Sequence, residues 1–229
     1  MRILITRPAE DGEEIAAALT RLGHHPLLAP LLATHFQDGP EPGLDDVQAI
    51  LATSANGIRA LVRRTARRDR PVFAVGPQTA REAQQNGFAP VHSADGDAAA
   101  LGRAIPAWAI PEKGALLHVT GSHGAPGDWA ASLLAQGYDY RKLVLYDVHA
   151  ATALPPQVRA ALEHKALDAV LFFSPRSARV FCALADGLPR ATLIALCISP
   201  LTAAALSPGF GQVRIAVHPN QDALLALVE

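Results

Sequence analysis

The chain has 229 residues, half of them apolar, a formal net charge of −1 and only 5% aromatic residues. That length permits one large domain or two small ones with a real core. The balanced charge excludes a basic field that would gather nucleic acid, and no uninterrupted apolar stretch of about 18 residues offers a membrane span.

MRILITRP enters a strand pattern at once, without a secretory pattern, so the cytoplasm is the expected compartment. RILIT (2–6) is a β-branched apolar run, followed by a helix pattern from Pro8 to Leu22 that Gly23 stops. PLLAPLLATHF (26–36) is extended, since its two prolines oppose a helix. VQAILATS (47–54) predicts a strand and ANGIRALVRRTARR (55–68) a helix; PVFAVG (71–76) and PQTAREAQQNG (77–87) repeat that pair. FAPVHS (88–93) is a short strand and GDAAALGRAI (96–105) a helix.

The order then begins again. ALLHVTG (115–121) is a strand, APGDWAASLLAQG (125–137) a helix, and YDYRKLVLYDVHA (138–150) a long extended run. LDAVLFFS (167–174) and PRSARVFCAL (175–184) form the next strand and helix, then ATLIALCIS (191–199) and PLTAAALS (200–207), then QVRIAVH (212–218) and PNQDALLALVE (219–229). Cys182 and Cys197 fall in apolar runs and are expected as buried free thiols.

The two series match element by element. Thr6 and Gly23 recur as Thr120 and Gly137, a constant offset of 114. Ser54 answers to Ser174, Thr79 to Thr202 and Asp97 to Asp222, at offsets that drift from 120 to 125 as loop insertions would make them. Matched order and matched corner residues indicate an internal duplication. Alternating β and α elements of these lengths imply parallel sheets with right-handed crossovers and helices on both faces. The expected fold is therefore α/β, with two doubly wound, flavodoxin-like lobes and a cleft between them.

Ligands of such sheets bind beyond the carboxyl ends of the strands. Thr6, Ser54, Gly76, Thr120, Gly121, Ser174 and Ser199 all fall there. Each stands where a helix N-terminus offers unpaired N–H groups and a partial positive charge to an anion. Plain N-capping by Ser and Thr explains any single corner as well. Asp97, Asp128 and Asp222 read as structural helix-start residues, and TGSHGAPG (120–127) is neither a Walker loop nor a dinucleotide fingerprint. The nine histidines show no metal-binding spacing. His118 and His218 fall in strand patterns and are expected to be packed. RRTARRDR (63–70) reads as a solvated basic face at a helix end. Tyr146 stands apart near the end of RKLVLYDV, either as a packing residue or as a hydroxyl donor.

In order along the chain stand TRP (6–8), PLL (30–32), TSANG (53–57), VGPQTA (75–80), LYDV (145–148), SPRSA (174–178) and ISPLTA (198–203). This ordered set, over nearly the full length, resembles the uroporphyrinogen-III synthase family of tetrapyrrole biosynthesis. The resemblance implies an exchanged chain path: lobe one of residues 1–35 and 151–229, lobe two of 39–145, and a two-strand connection at 36–38 and 146–150. It implies a reaction without metal or organic cofactor, whose substrate is hydroxymethylbilane, a linear tetrapyrrole with eight carboxylates; a monomer is expected, although the sequence itself is silent on oligomeric state. The terminal hydroxyl leaves as water, and ring D attacks the resulting azafulvene through its substituted α-carbon. The spiro intermediate then fragments and recloses as uroporphyrinogen III. On this resemblance Tyr146 assists departure of the hydroxyl, Thr79, Ser174 and Thr202 are hydroxyls at the substrate, and Ser54, Gly76, Ser199 and Gly121 supply neighbouring contacts. Arg7 and Arg176 are candidate carboxylate partners. Ser199 where the first half has Gly76, and Ser122 after Gly121 where the family often has an acidic residue, depart from the pattern. Two other readings compete. A non-catalytic two-lobed anion-binding protein would share the architecture, and a nucleotide-dependent transferase would need a phosphate loop that this sequence lacks.

Overall fold

The computed structural model describes residues 1–122 and 127–228, without the side chains of residues 9 and 10. The chain divides into two compact units, one of Met1–Ala33 with His149–Glu229 and one of Thr34–Val148. It therefore passes from one unit to the other twice.

The first unit holds β1 (Arg2–Ile5), α1 (Ala9–Arg21) and β2 (His25–Leu28), then α6 (Pro156–Glu163), β9 (Ala169–Phe172), α7 (Pro175–Leu184), β10 (Ile194–Cys197), α8 (Pro200–Ala203), β11 (Gln212–Ile215) and α9 (Gln221–Leu225). Its five strands lie in the order β2-β1-β9-β10-β11, and all four pairings are parallel. Renumbered within the unit this is 2-1-3-4-5, the flavodoxin-like order. The strands have short apolar sequences because both faces are covered. Alternate side chains divide accordingly. Leu4, Val170 and Phe172 join one apolar cluster, and Ile3, Ile5, Ala169 and Leu171 join the other. Cys182 and Cys197 are buried and unpaired, and burial pushes the Cys197 thiol up to about 12, so it stays protonated.

The second unit holds β4 (Val47–Ala52), α2 (Ala55–Val62), β5 (Val72–Ala74), α3 (Pro77–Gln85), β6 (Val91–Ser93), α4 (Ala98–Ala104), β7 (Ala115–Gly121) and α5 (Asp128–Ala135). β3 (Leu32–Phe36) and β8 (Tyr140–Ala150) complete its sheet, in the order β3-β8-β7-β4-β5-β6. Leaving aside the edge strand β3 and counting from β7, the order β8-β7-β4-β5-β6 is again 2-1-3-4-5. Each sheet thus takes its first two strands from one sequence repeat and its last three from the other. Residues 146–150, which the family resemblance places in the two-strand connection, form the end of β8. The boundary between units falls between Val148 and His149.

Several expectations are corrected. The helix expected over 55–68 ends at Val62, and RRTARRDR is a knot of tertiary contacts rather than a solvated face. Arg63 lies 4.2 Å over the Phe36 ring and Arg68 4.9 Å over the Phe88 ring. Arg64 donates to the Gln37 and Pro40 carbonyls, and Arg67 pairs with Asp45 and Asp69. Those loop partners hold the arginines off the helical path. β11 stops at Ile215, so His218 is exposed rather than packed. α8 is four residues instead of eight. Asp97 does cap α4, donated to by the Ala100 amide at 2.8 Å; α9 is capped by Asn220, with Asp222 in its first turn.

Gly57, on α2, sets how closely this helix lies on β7. A β-carbon there would stand 2.7 Å from the Val119 carbonyl oxygen, which is backbone and cannot move aside. Gly57→Ala is expected to destabilise the protein by about 1–3 kcal/mol, the scale of overpacking. Urea unfolding checks this, and an unchanged midpoint would show that α2 slides freely over the sheet.

Candidate active site

Four strand-to-helix corners share one backbone. Ser54, Gly76, Ser174 and Ser199 are the N-cap residues of α2, α3, α7 and α8, all extended, with φ of −157°, −164°, −159° and −157°. The three serines cap with their own hydroxyls. Ser54 Oγ accepts from the Gly57 amide at 3.4 Å, Ser174 Oγ from Ser177 at 3.1 Å, and Ser199 Oγ from Thr202 at 3.2 Å. Pro77, Pro175 and Pro200 open α3, α7 and α8 without an N–H, so the anion binding expected from the sequence has fewer first-turn amides there than at α2. The short α8 aligns few peptide dipoles, so that expectation is weakest at Ser199 and Thr202.

In the first unit these residues mostly satisfy one another. The Ser174 and Ser177 hydroxyls lie 3.1 Å apart, and those of Ser199 and Thr202 3.0 Å apart. Thr202 is fully buried. Arg7 is paired with Asp11 at 2.8 Å and stacks 4.8 Å over the Phe173 ring, beside Ser174. Arg176 lies half-buried in the first turn of α7. Arg7 and Ser174 follow β1 and β9, the adjacent strands where the order of this sheet reverses.

The second unit gathers its residues more tightly. Its order reverses between β4 and β7, where Ala52 faces Val119. Thr53 and Ser54 leave the end of β4 there, beside Thr120 and Gly121 of β7. Thr53, Ser54, Thr120, Gly121, Ser122, Tyr146 and Val148 line a cavity of about 230 Å³. Ser54, Gly121 and Tyr146 of the sequence-derived set thus meet in one place. Gly76 and Thr79 do not line it; they stand one strand away, with Thr79 buried on α3.

Tyr146 is only 8% exposed, and its hydroxyl lies 2.8 Å from Ser54 Oγ. A register shift aims it: Thr120 faces Val144 but Gly121 faces Tyr146, so Leu145 is the extra residue of a β-bulge. Gly121 makes room for the ring. A β-carbon at that position would lie 2.7 Å from Tyr146 Cε2.

Two contributors escaped the sequence reading. Thr53 was visible only as part of TSANG. His118 was expected to be packed, and it is 2% exposed, yet it also bonds to a cavity residue: its Nε2 lies 3.0 Å from Thr53 Oγ1 and its Nδ1 2.7 Å from the Tyr140 hydroxyl. A histidine in an otherwise apolar strand was the available signal. Of TGSHGAPG, residues 123–126 lie outside the described residues.

Burial, with a smaller effect from the Lys142 charge, pulls the His118 pKa from 6.5 down to about 4. The unfolded chain then binds the extra proton between pH 6.5 and 4. Stability is fully present above about 6.5 and falls as the pH drops toward 4, by on the order of 3 kcal/mol in all. An NMR titration of the imidazole, with denaturant midpoints at pH 7 and 4.5, tests this; an ordinary pKa near 6.5 would refute it.

The family model described as uroporphyrinogen-III synthase HemD matches residues 13–226. No curated protein sequence matches the chain. Among solved structures, uroporphyrinogen-III synthetase from Helicobacter pylori aligns over 100% of this chain and 98% of its own, at 20% identity and a TM-score of 0.64. A mutant uroporphyrinogen III synthase from Thermus thermophilus aligns over 100% and 97%, at 21% identity and a TM-score of 0.55. At these identities the structures show a shared two-unit α/β fold. With the family model covering nearly its whole length, the chain belongs to the uroporphyrinogen-III synthase family, cyclising lyases of tetrapyrrole biosynthesis.

Proposed function

We propose that this chain converts hydroxymethylbilane to uroporphyrinogen III and water, with Tyr146 assisting loss of the terminal hydroxyl. The observation that carries the assignment is the buried Tyr146–Ser54 hydroxyl pair in the cavity where β4 and β7 diverge. A phenol there donates a hydrogen bond to the departing oxygen while Ser54 holds its orientation. The cavity, about 230 Å³, is below the ~300–1,000 Å³ of whole small-molecule sites. It suits the reacting end of a linear tetrapyrrole, with the rest of the substrate outside it.

Each unit by itself offers helix-start amides to carboxylates: those of α2 and α3, after Ser54 and Gly76 and beside Thr79, in the second, and those of α7 and α8, after Ser174 and Ser199 and beside Thr202, in the first, with none from Pro77, Pro175 and Pro200. Arg176 adds positive charge in the first turn of α7. Arg7 is already neutralised by Asp11, so its part is to hold the β1 corner. Loss of water followed by ring closure changes no oxidation state, so the reaction calls for no redox cofactor, and the reading assigns it neither metal nor organic cofactor. We assign the protein to the cytoplasm as a monomer; among the described residues no helix is long and apolar enough to cross a membrane. The competing anion-binding reading would leave the Tyr146–Ser54 pair without a task.

Hydroxymethylbilane generated in place, with this protein added, is expected to give mostly the type III isomer after oxidation and separation of the uroporphyrins. Type I alone, at the spontaneous rate and with folded protein, would refute the assignment. Tyr146→Phe keeps the ring and is expected to lower turnover roughly tenfold to a hundredfold. An unchanged rate would remove Tyr146 as donor.

A further inference from the structure

We propose that Tyr140, His118 and Thr53 form a proton relay that runs beside β7 and opens into the Tyr146 cavity, a step that rests on the synthase reading above. The chain of contacts is continuous. The half-buried Tyr140 hydroxyl lies 2.7 Å from His118 Nδ1, His118 Nε2 lies 3.0 Å from Thr53 Oγ1, and Thr53 lines the cavity. Leu51 faces His118 across the sheet, which leaves one residue pair, Ala52 and Val119, between the ring and the corner where Thr53 emerges. Trp129 fixes the assembly from the side, edge-on to His118 at 5.2 Å and to Tyr140 at 5.6 Å.

Both titratable members are uncharged near neutral pH. Burial pulls His118 down to about 4 and pushes the Tyr140 phenol up to about 12. A neutral imidazole has one N–H donor and one acceptor nitrogen, so the relay has two polarities related by a tautomer change. In the first, Tyr140 donates to Nδ1, Nε2–H donates to Thr53, and the Thr53 proton is left to point into the cavity. In the second, Thr53 donates to Nε2, Nδ1–H donates to the Tyr140 oxygen, and Tyr140 donates outward.

Passing from the first to the second moves one proton inward. Thr53 gives its proton to the leaving hydroxyl as the carbon–oxygen bond breaks. Nε2–H then passes to Thr53, the Tyr140 proton passes to Nδ1, and solvent returns a proton to Tyr140. The reverse passage accepts the proton that the cyclised ring releases on regaining aromaticity, and resets the relay. One turnover thus takes up one proton and releases one, as elimination of water requires. Tyr146 stays protonated throughout and holds the leaving oxygen. Thr53 is the member that meets the reacting atoms; His118 and Tyr140 act through it.

Three variants and two readouts test this. Tyr140→Phe and Thr53→Val keep shape and remove hydroxyls, and Thr53→Ser restores one. The type III rate is measured in mixtures of light and heavy water, and the imidazole nitrogens of His118 are followed by NMR. Tyr140→Phe and Thr53→Val are expected to lower the type III rate about tenfold. They are also expected to change the isotope dependence from several protons in flight to one, and to shift Nδ1 and Nε2 respectively. Thr53→Ser is expected to recover rate and isotope dependence. If the wild-type protein forms no type III isomer, the synthase reading falls and the relay with it. If the wild type is active and Thr53→Val leaves rate and isotope dependence unchanged, the relay alone is overturned. An imidazolium at neutral pH would overturn it equally.

Discussion

The register of β4 against β7 is the constraint on which the second unit's site depends. These strands are not neighbours in sequence, and no short turn sets their alignment. It is set by two buried faces: Leu117 and Val119 point into one apolar cluster, and Leu116 and His118 to the other side, where Leu116 joins the second cluster. A slip of one residue would exchange these faces, so the alignment is strongly specified. Once Ala52 faces Val119, Thr53 and Ser54 must emerge beside Thr120 and Gly121. The cavity follows from that alignment, and Gly57 lets α2 descend onto β7 close enough to hold it.

The repeated corners show what a duplication conserves and what it leaves free. The extended N-cap backbone recurs four times because a strand that turns at once into a helix has few other solutions. The chemistry differs. Ser174 and Ser199 spend their hydroxyls on capping and on the hydroxyl three residues on, with cap distances of 3.1 and 3.2 Å. Ser54 caps at 3.4 Å, and its hydroxyl also pairs with the Tyr146 phenol at 2.8 Å. A slightly weaker cap is the cost of a satisfied, oriented hydroxyl in a buried place, where an unpaired phenol would cost more. The bulge at Leu145 belongs to the same compromise, since it turns Tyr146 toward Gly121 against strict alternation.

Much of this architecture was legible. The apolar runs RILI, AILA and AVLF mark strands covered on both faces, and Ser54 and Ser174 mark the helix starts. The internal repeat predicts two similar sheets. Periodicity alone would have cut the chain between its repeats. That β1 pairs with β9 and β4 with β7 depends on pairings over 60 or more residues, which local pattern does not encode, and the exchange entered only through family resemblance. The arginines of RRTARRDR misled because a basic run after an amphipathic stretch reads as more helix. Of their partners, Gln37, Pro40 and Asp45 lie upstream in the loop before β4, Phe36 ends β3, and Phe88 lies beyond α3. His118 was legible as buried but not as connected, since Thr53 and Tyr140 stand 65 and 22 residues away from it.

Among the described residues the lining of the cavity carries no formal charge: two threonines, two serines, a glycine, a tyrosine and a valine. On the proposed reaction this neutrality has two consequences. Loss of hydroxide from the substrate leaves a cation, and an arginine or lysine at that point would oppose it. A carboxylate would stabilise the cation but also hold it, slowing the attack that must follow, because only preferential stabilisation of the transition state accelerates a step. Neutral hydroxyls avoid both effects. They orient the leaving oxygen and exchange protons without adding a fixed charge. On the same proposal the substrate's own carboxylates go to helix-start amides outside the cavity. What remains for the protein is to keep the chain ends in the one arrangement from which ring D closes inverted, faster than the unassisted closure.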